Sequence, residues 1–95
     1  MKKTIIKFGA QWCSPCGMLA PIFEKVANEL TSENLTFEQV DVDDNFEIAE
    51  KYNIRGVPTI LLVDENDNEL KRHVGFISEN KLKEFVNEKE TTEIV

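Results

Sequence analysis

The chain has 95 residues, of which 41% are hydrophobic and 31% are charged, and its formal net charge at pH 7 is −7. This length and composition predict a single globular domain over residues 1–95. The acidic balance argues against a nucleic-acid binder, because no surplus of basic residues exists to neutralise phosphates. No apolar run approaches the roughly 18 residues of a membrane span, so we expect no membrane association.

The first third of the chain predicts a strand followed by a long amphipathic helix. The β-branched run at residues 4–8 is typical of a strand, and Gly9 ends it. Over residues 14–30 the apolar side chains recur at steps of three and four, which is the spacing of one helix face. Pro21 falls inside this helix, and we expect a kink there because proline removes a backbone N–H.

The rest of the chain predicts a strand, a short helix and a hairpin. The strand begins at Leu35, and the helix covers residues 45–52 with Asp44 as its cap. Residues 59–63 are the most apolar run and predict a strand that is buried on both faces. Residues 70–74 predict the strand that returns beside it.

The remaining signals concern helix ends and the last helix. Asn53 is expected to close the short helix in a left-handed conformation. Residues 88–95 lack periodicity, so we expect them to fray. Ser78 is expected to cap a final helix, whose inner side carries Leu82, Phe85 and Val86. The order β-α-β-α-β-β-α predicts an α/β fold, with a four-stranded mixed sheet between helices on both faces.

The only two cysteines stand two residues apart, between the first strand and the first helix. A dithiol at such a turn is typical of thiol–disulfide redox sites. Cys13 precedes the first helical turn, where unpaired N–H groups and the helix dipole stabilise a thiolate, so we predict it to be the exposed attacking sulfur. Cys16 lies one turn further on and can resolve the mixed disulfide. Pro15 fits the first turn, where no N–H partner is required.

A zinc site and a structural disulfide account less well for the cysteine pair. Zinc needs four ligands, and the chain offers two cysteines and the lone His73, so zinc would require a dimer. A structural disulfide that closes so small a ring contributes little stabilisation. Lys7 interrupts any signal peptide, so we expect a reducing cytoplasm, where a cysteine pair is more often catalytic. We expect no metal and no organic cofactor.

Three segments resemble the thioredoxin family. Residues 8–21, FGAQWCSPCGMLAP, are similar to its active-site segment, and residues 52–59, YNIRGVPT, to its second motif. Residues 74–76, VGF, are similar to its third substrate-facing loop. The segments keep the family's order and spacing. The resemblance implies a thioredoxin-like fold and the reduction of protein disulfides, with recycling by a thioredoxin reductase or a similar electron donor.

The resemblance also implies roles for residues outside the cysteine pair. Pro58 would be cis and lie beside Cys13, and the backbone of Val57 would pair with an extended substrate. Without the resemblance, Pro58 would be an ordinary proline at a strand start. The apolar rim around Cys13 would consist of Trp12, Val57, Pro58, Gly75 and Phe76. Simple core packing is the alternative role for Trp12 and Phe76.

The chain departs from the family at three points. The N-terminal strand and helix of the family are missing, so the first strand of this chain should lie closer to a sheet edge. Ser14 stands where the family usually has glycine, and its hydroxyl could donate to the Cys13 thiolate and lower the pKa of that thiol. Lys7 occupies the position of a buried aspartate, and Gln39 occupies the position of the lysine that pairs with it.

Three roles are open for Lys7. A buried, neutral amine could act as a base for the resolving thiol. A charged amine would instead stabilise the Cys16 thiolate. In the third role, the stem packs along the core while the amine reaches water, and we favour this one.

The predicted function is the reduction of protein disulfides by the Cys-Ser-Pro-Cys dithiol, in a monomer. Two alternatives stay open. One is a thioredoxin-fold subunit whose main role is to bind another protein. The other is a glutaredoxin-like donor that is reduced by a low-molecular-weight thiol.

Overall fold

A four-stranded sheet with helices on both faces forms the structure, a computed structural model that describes residues 2–87. The predicted element order and α/β fold are confirmed. The predicted fraying of residues 88–95 falls outside the described residues. No helix in the described part of the chain is long and apolar enough to cross a membrane. The strands are β1 (Lys3–Gly9), β2 (Leu35–Asp41), β3 (Thr59–Asp64) and β4 (Glu69–Val74), and the helices are α1 (Ser14–Leu30), α2 (Phe46–Lys51) and α3 (Glu79–Asn87).

The sheet has the strand order β2-β1-β3-β4, so β1 lies one strand in from an edge, as predicted. β1 is parallel to β2, with α1 as the crossover between them. β1 is antiparallel to β3, and β3 is antiparallel to β4. In this register Lys7 stands between Gln39 on β2 and Ile60 on β3.

Two apolar clusters, one on each face of the sheet, hold the helices in place. On the first face, Ile5 and Ile60 pack with buried side chains of α1 and α3. On the second face, Phe8 and Leu61 pack with Tyr52, which follows α2. The predicted double burial of β3 is confirmed, because five of its six residues are buried. Each fully buried aliphatic or aromatic side chain contributes about 1.5–3 kcal/mol, so both faces stabilise the fold.

The ends of α2 differ in part from the prediction. The prediction that Asp44 caps this helix is wrong, because Asn45 occupies the cap position and makes no side-chain capping bond. Instead, the backbone N–H groups of Asp44 and Asn45 both donate to the carbonyl oxygen of Asp41, which keeps Asp44 in the preceding turn. The left-handed conformation of Asn53 is confirmed by its φ of 56°.

The other helices begin and continue where the sequence predicts. α1 runs without interruption through Pro21, and the kink expected there stays a prediction. At the start of α3, the Ser78 hydroxyl accepts a hydrogen bond from the backbone N–H of Lys81 at 3.3 Å, so the predicted cap is confirmed.

Candidate active site

The cysteine pair lies where β1 gives way to α1. Cys13 is the N-cap residue of α1, and Pro15 lies in the first turn. Cys16 stands one turn further into the helix, and its sulfur is bonded to that of Cys13 in a disulfide with a Cα–Cα distance of 5.3 Å. The two-residue spacing brings the sulfurs together because both side chains leave the same helical turn.

Backbone dipoles at the helix terminus point at Cys13. Its Sγ accepts a hydrogen bond from the backbone N–H of Cys16 at 3.2 Å. The donor in this oxidised pair is thus a main-chain group, whereas Ser14, the donor considered from the sequence, is exposed. The first N–H groups of a helix carry partial positive charge, so this position favours a negative sulfur.

Both cysteines are largely covered, which corrects the expectation of an exposed Cys13. Cys13 is 7% exposed and Cys16 is 4% exposed. The disulfide packs in a small apolar cluster with Ala10, Val42 and Val57, and these three residues cover it. The two sulfurs therefore differ in position along the helix rather than in exposure.

The second and third motifs meet beside Cys13. The carbonyl oxygen of Val57 lies 3.6 Å from the Cys13 Sγ. The peptide bond between Val57 and Pro58 is cis. The Gly75 N–H donates to the carbonyl oxygen of Pro58 at 2.8 Å, which joins the third motif to the second. Gly75 has a φ of +105°, a conformation that side chains with a Cβ rarely adopt.

Trp12 is a surface residue, so core packing does not account for it. The side chain is 70% exposed, and its ring borders a small cavity of about 140 Å³ together with Val57. The indole Nε1 donates to Asp43 Oδ2 at 2.9 Å. Asp43 was missed as a site residue, because no local signal in the sequence indicates a contact with a residue 31 positions away. The backbone N–H of Asp43 also donates to Asp41 Oδ1 at 2.8 Å, which fixes this loop.

Phe76 is exposed as well, but it lines a different cleft. The residue is 44% exposed, so core packing is excluded for it too. Its neighbours in that cleft include His73 and Lys81 rather than the cysteines. A His73 ring nitrogen lies 3.2 Å from the carbonyl oxygen of Phe76. The structure therefore groups Trp12, Val57, Pro58 and Gly75 around Cys13 and sets Phe76 apart.

Lys7 is almost fully buried at the side of an open cleft, and which of its three roles applies stays a prediction. The residue is only 6% exposed. It lies on the sheet face that α1 covers, at one side of a cleft of about 330 Å³ that Cys13 and Cys16 also line. Burial lowers the pKa of the amine from its usual 10.5, and the charge of Glu24 opposes this shift only in part.

The described residues offer no obvious metal centre. Within residues 2–87, no three side chains of His, Cys, Asp or Glu come together in a way that could hold a metal ion. The sulfurs of Cys13 and Cys16 are bonded to each other. The chemistry that this arrangement can perform directly is thiol–disulfide exchange.

Comparisons with known proteins agree with this geometry. The family model for thioredoxin matches residues 1–88. A thioredoxin of Mycoplasmoides gallisepticum is 44% identical over 85 residues, which are 90% of this chain and 82% of that protein. A thioredoxin of Bacillus subtilis is 38% identical over 80 residues, 84% of this chain and 75% of that protein.

A solved structure gives the same fold. The germline-specific thioredoxin Deadhead of Drosophila melanogaster superposes with a TM-score of 0.79 at 28% sequence identity. The match covers 90% of this chain and 78% of that protein.

Proposed function

The chain belongs to the thioredoxin family and is a thiol–disulfide oxidoreductase, and from this premise we propose that it reduces disulfide bonds in other proteins. The reactive group is the Cys-Ser-Pro-Cys dithiol that forms when the Cys13–Cys16 disulfide is reduced. The observation that carries the proposal is the position of this disulfide, at the N-terminus of α1 and against the carbonyl oxygen of Val57.

The proposed reaction has two exchange steps. The Cys13 thiolate attacks one sulfur of the substrate disulfide, a bond forms between them, and the second substrate sulfur leaves as a thiolate that takes up a proton. Cys16 then loses its proton and attacks the Sγ of Cys13, which breaks the mixed disulfide and releases the other substrate thiolate. Two electrons pass from the dithiol to the substrate, and the Cys13–Cys16 disulfide forms again.

Cys13 rather than Cys16 is the proposed attacking sulfur because of its place at the helix terminus. Its Sγ already accepts the N–H of Cys16 at 3.2 Å, and the same donor would stabilise a thiolate. Pro15 keeps the first turn of α1 helical without needing a hydrogen bond of its own.

The substrate is proposed to bind as an extended segment beside Val57. The Val57 carbonyl is 3.6 Å from the Cys13 Sγ, so a strand that paired with this backbone would bring its disulfide to the sulfur. The surrounding surface combines Trp12 with the Pro58–Gly75 contact. We include Phe76 at the outer limit of this surface, because it follows Gly75 directly. Apolar contacts of this kind accept many sequences.

The electrons are proposed to come from a thioredoxin reductase or a similar donor. The reduced Cys13–Cys16 dithiol itself carries the two electrons, so the proposal needs neither a metal nor an organic cofactor. A monomer in a reducing cytoplasm would suit this role, since reduced thiols persist there.

Reduction of insulin tests the proposal directly. The wild-type protein should accelerate insulin reduction with a dithiol as donor, and with thioredoxin reductase and its nicotinamide cofactor as donor. The double variant Cys13→Ser, Cys16→Ser should be inactive with either donor, while Ser32→Ala should retain full activity. A wild-type protein that reduces no insulin with either donor would contradict the proposal.

Further variants separate the two alternative functions. A Cys16→Ser variant should trap substrates as mixed disulfides on Cys13, because the resolving sulfur is missing. A purely binding subunit would hold its partner equally well after both cysteines are replaced. A glutaredoxin-like donor would turn over faster with a low-molecular-weight monothiol than with the reductase.

A further inference from the structure

Lys7 carries a buried amine that has no hydrogen-bond or ion-pair partner among the residues that the structure describes. The residue is 6% exposed, and it lies in the middle of β1 between Gln39 and Ile60. Within residues 2–87, its amine makes no hydrogen bond and no ion pair. Burial of an ammonium group without a partner is costly, so the site favours the neutral amine.

The amine borders the same small space as the resolving sulfur. A Cβ added to Gly9 would lie 3.4 Å from the Cys16 Sγ and 3.8 Å from the Lys7 Nζ. Because Gly9 has no side chain, nothing from that residue separates the two groups. Both also line the cleft of about 330 Å³, which opens to solvent and gives protons a path to water.

The charges around Lys7 are few. The cleft is lined by β1 with the loop that follows it, by α1 and by β2. From α1, Glu24 acts on the amine at a distance, and Cys16 borders the same space beside Gly9. From β2, Asp41 lies in the same cleft, and Gln39 is neutral. The net effect of this environment is a lowered pKa for Lys7, because burial outweighs the charge of Glu24.

We infer that Lys7, in its neutral form, is the general base that removes the proton from the Cys16 thiol as Cys16 attacks the mixed disulfide. This inference rests on the proposed function, in which Cys16 resolves the intermediate. A neutral amine has a lone pair that can accept the proton, whereas a protonated lysine has none.

The proton and electron balance of the step is simple. The Cys16 thiol transfers its proton to the Lys7 Nζ, which becomes an ammonium ion. The Cys16 thiolate attacks the Cys13 Sγ, the bond between Cys13 and the substrate sulfur breaks, and the substrate leaves as a thiolate. The ammonium ion then returns its proton to the leaving thiolate or to water in the cleft. The opposite charges of the short-lived ammonium–thiolate pair attract each other, which offsets part of the cost of forming them beside buried groups.

The test measures the resolving step alone. Reduced protein is treated with an aromatic disulfide to place a coloured thiol on Cys13, and the absorbance of the released thiol then follows attack by Cys16. The Lys7→Met variant should release the thiol about 100-fold more slowly near pH 7. Above about pH 9 the wild-type and variant rates should converge, because the thiol then ionises without a base.

Two variants serve as controls. Lys81→Met removes an exposed lysine on α3 and should leave the rate unchanged. Lys7→Arg places a permanent positive charge at the site but cannot act as a base, so it should be as slow as Lys7→Met. A fast Lys7→Arg variant would overturn the inference, because charge alone would then account for the effect. A loss by the same factor at every pH, or no loss, would overturn it too.

A measurement on the wild-type protein avoids the risk that a variant folds poorly. Titration of the Lys7 amine by NMR in the reduced protein should show deprotonation at a lower pH than an ordinary lysine requires. An amine that stays protonated up to the pH at which an ordinary lysine titrates would overturn the inference. The release assay does not use a protein substrate. A failure to reduce insulin would therefore count against the proposed function alone, and a normal release rate in Lys7→Met would count against the role of Lys7 alone.

Discussion

Trp12 and Asp43 are joined by a hydrogen bond from the indole Nε1 to Oδ2 at 2.9 Å, although 31 positions separate them in the chain. The bond links the loop before Cys13 to the loop that follows β2. It gives a tryptophan at the surface a fixed polar contact. The orientation of the ring next to Cys13 in the chain is therefore set in part by a loop from another part of the chain.

A double-mutant cycle should measure this link. Trp12→Phe keeps an aromatic ring and removes the donor, and Asp43→Ala removes the acceptor. Each change should lower the free energy of unfolding by about 0.5–1.5 kcal/mol, and the double variant should lose little more than one of them. Urea denaturation provides the values. Full additivity of the two losses would mean that the bond contributes nothing.

Replacing Lys7 with methionine should stabilise the fold, because it removes a desolvated amine and keeps the buried stem. The pKa of this amine in the folded protein lies below the value of 10.5 that it has when exposed. Between those two values the unfolded chain holds the proton and the folded chain does not. The wild-type protein therefore loses stability as the pH falls from 10.5 through the folded-state pKa.

The advantage of Lys7→Met should accordingly be about 1–3 kcal/mol near neutral pH and should shrink as the pH rises toward the ordinary lysine pKa. Urea denaturation of both proteins over a series of pH values gives the difference. A difference that is constant across the series, or a variant that is less stable throughout, would contradict the assignment of a desolvated amine.

Phe8 and Phe46 form a matched pair for testing the core. Phe8 is 0% exposed and packs against Tyr52 with ring centroids 6.2 Å apart. Phe8→Ala should therefore lower the free energy of unfolding by about 3–5 kcal/mol, because it leaves a cavity. Phe46 is 65% exposed, so Phe46→Ala should change the free energy by less than about 0.5 kcal/mol. Similar losses from both changes would contradict this description of the core.

Gly75 should not tolerate a side chain. Its φ of +105° is a conformation that residues with a Cβ adopt only at a cost of about 1–3 kcal/mol. Gly75→Ala should destabilise the protein by that amount and slow insulin reduction, because the bond to Pro58 would shift. A Cβ meets nothing within 4 Å at either glycine, so Gly17→Ala is the control: Gly17 lies in α1, outside the positive range of φ, where helix propensity favours alanine. Thermal unfolding compares the two, and equal stability of both variants would count against the strain.

The sequence predicted the elements whose local signals agree with their tertiary surroundings. The spacing of the apolar residues predicts α1, and the continuous apolar run of β3 predicts a central strand. The cysteine pair at the start of α1 was predictable for the same reason, since helix position and thiol chemistry point to the same place. The resemblance to the family added the second and third motifs around Cys13.

What the sequence missed depends on contacts between distant segments. Aspartate is a residue type that often caps helices, but the turn after β2 places Asn45 rather than Asp44 at the start of α2. The burial of Cys13 comes from Val57, and the position of Trp12 comes from Asp43, both of which are far away in the chain. Periodicity within one segment cannot report such contacts.

The burial of Lys7 also depends on contacts between distant segments. A lysine inside an apolar strand is compatible with a long stem that carries its charge to solvent. Only the position of α1 over β1, at the height of Cys16, decides that the amine stays covered.

The strand order also has a consequence for how separate molecules of this protein meet. β2 and β4 are the outermost strands, and each presents one row of backbone N–H and C=O groups to which a strand of another molecule could be added. The charged side chains of β2 are all acidic, Glu38 and Asp41, whereas β4 carries both signs. Side-by-side joining of two β2 strands would therefore crowd like charges and oppose aggregation. The sheet can thus end in an open β2 strand without that edge becoming a template for fibrils.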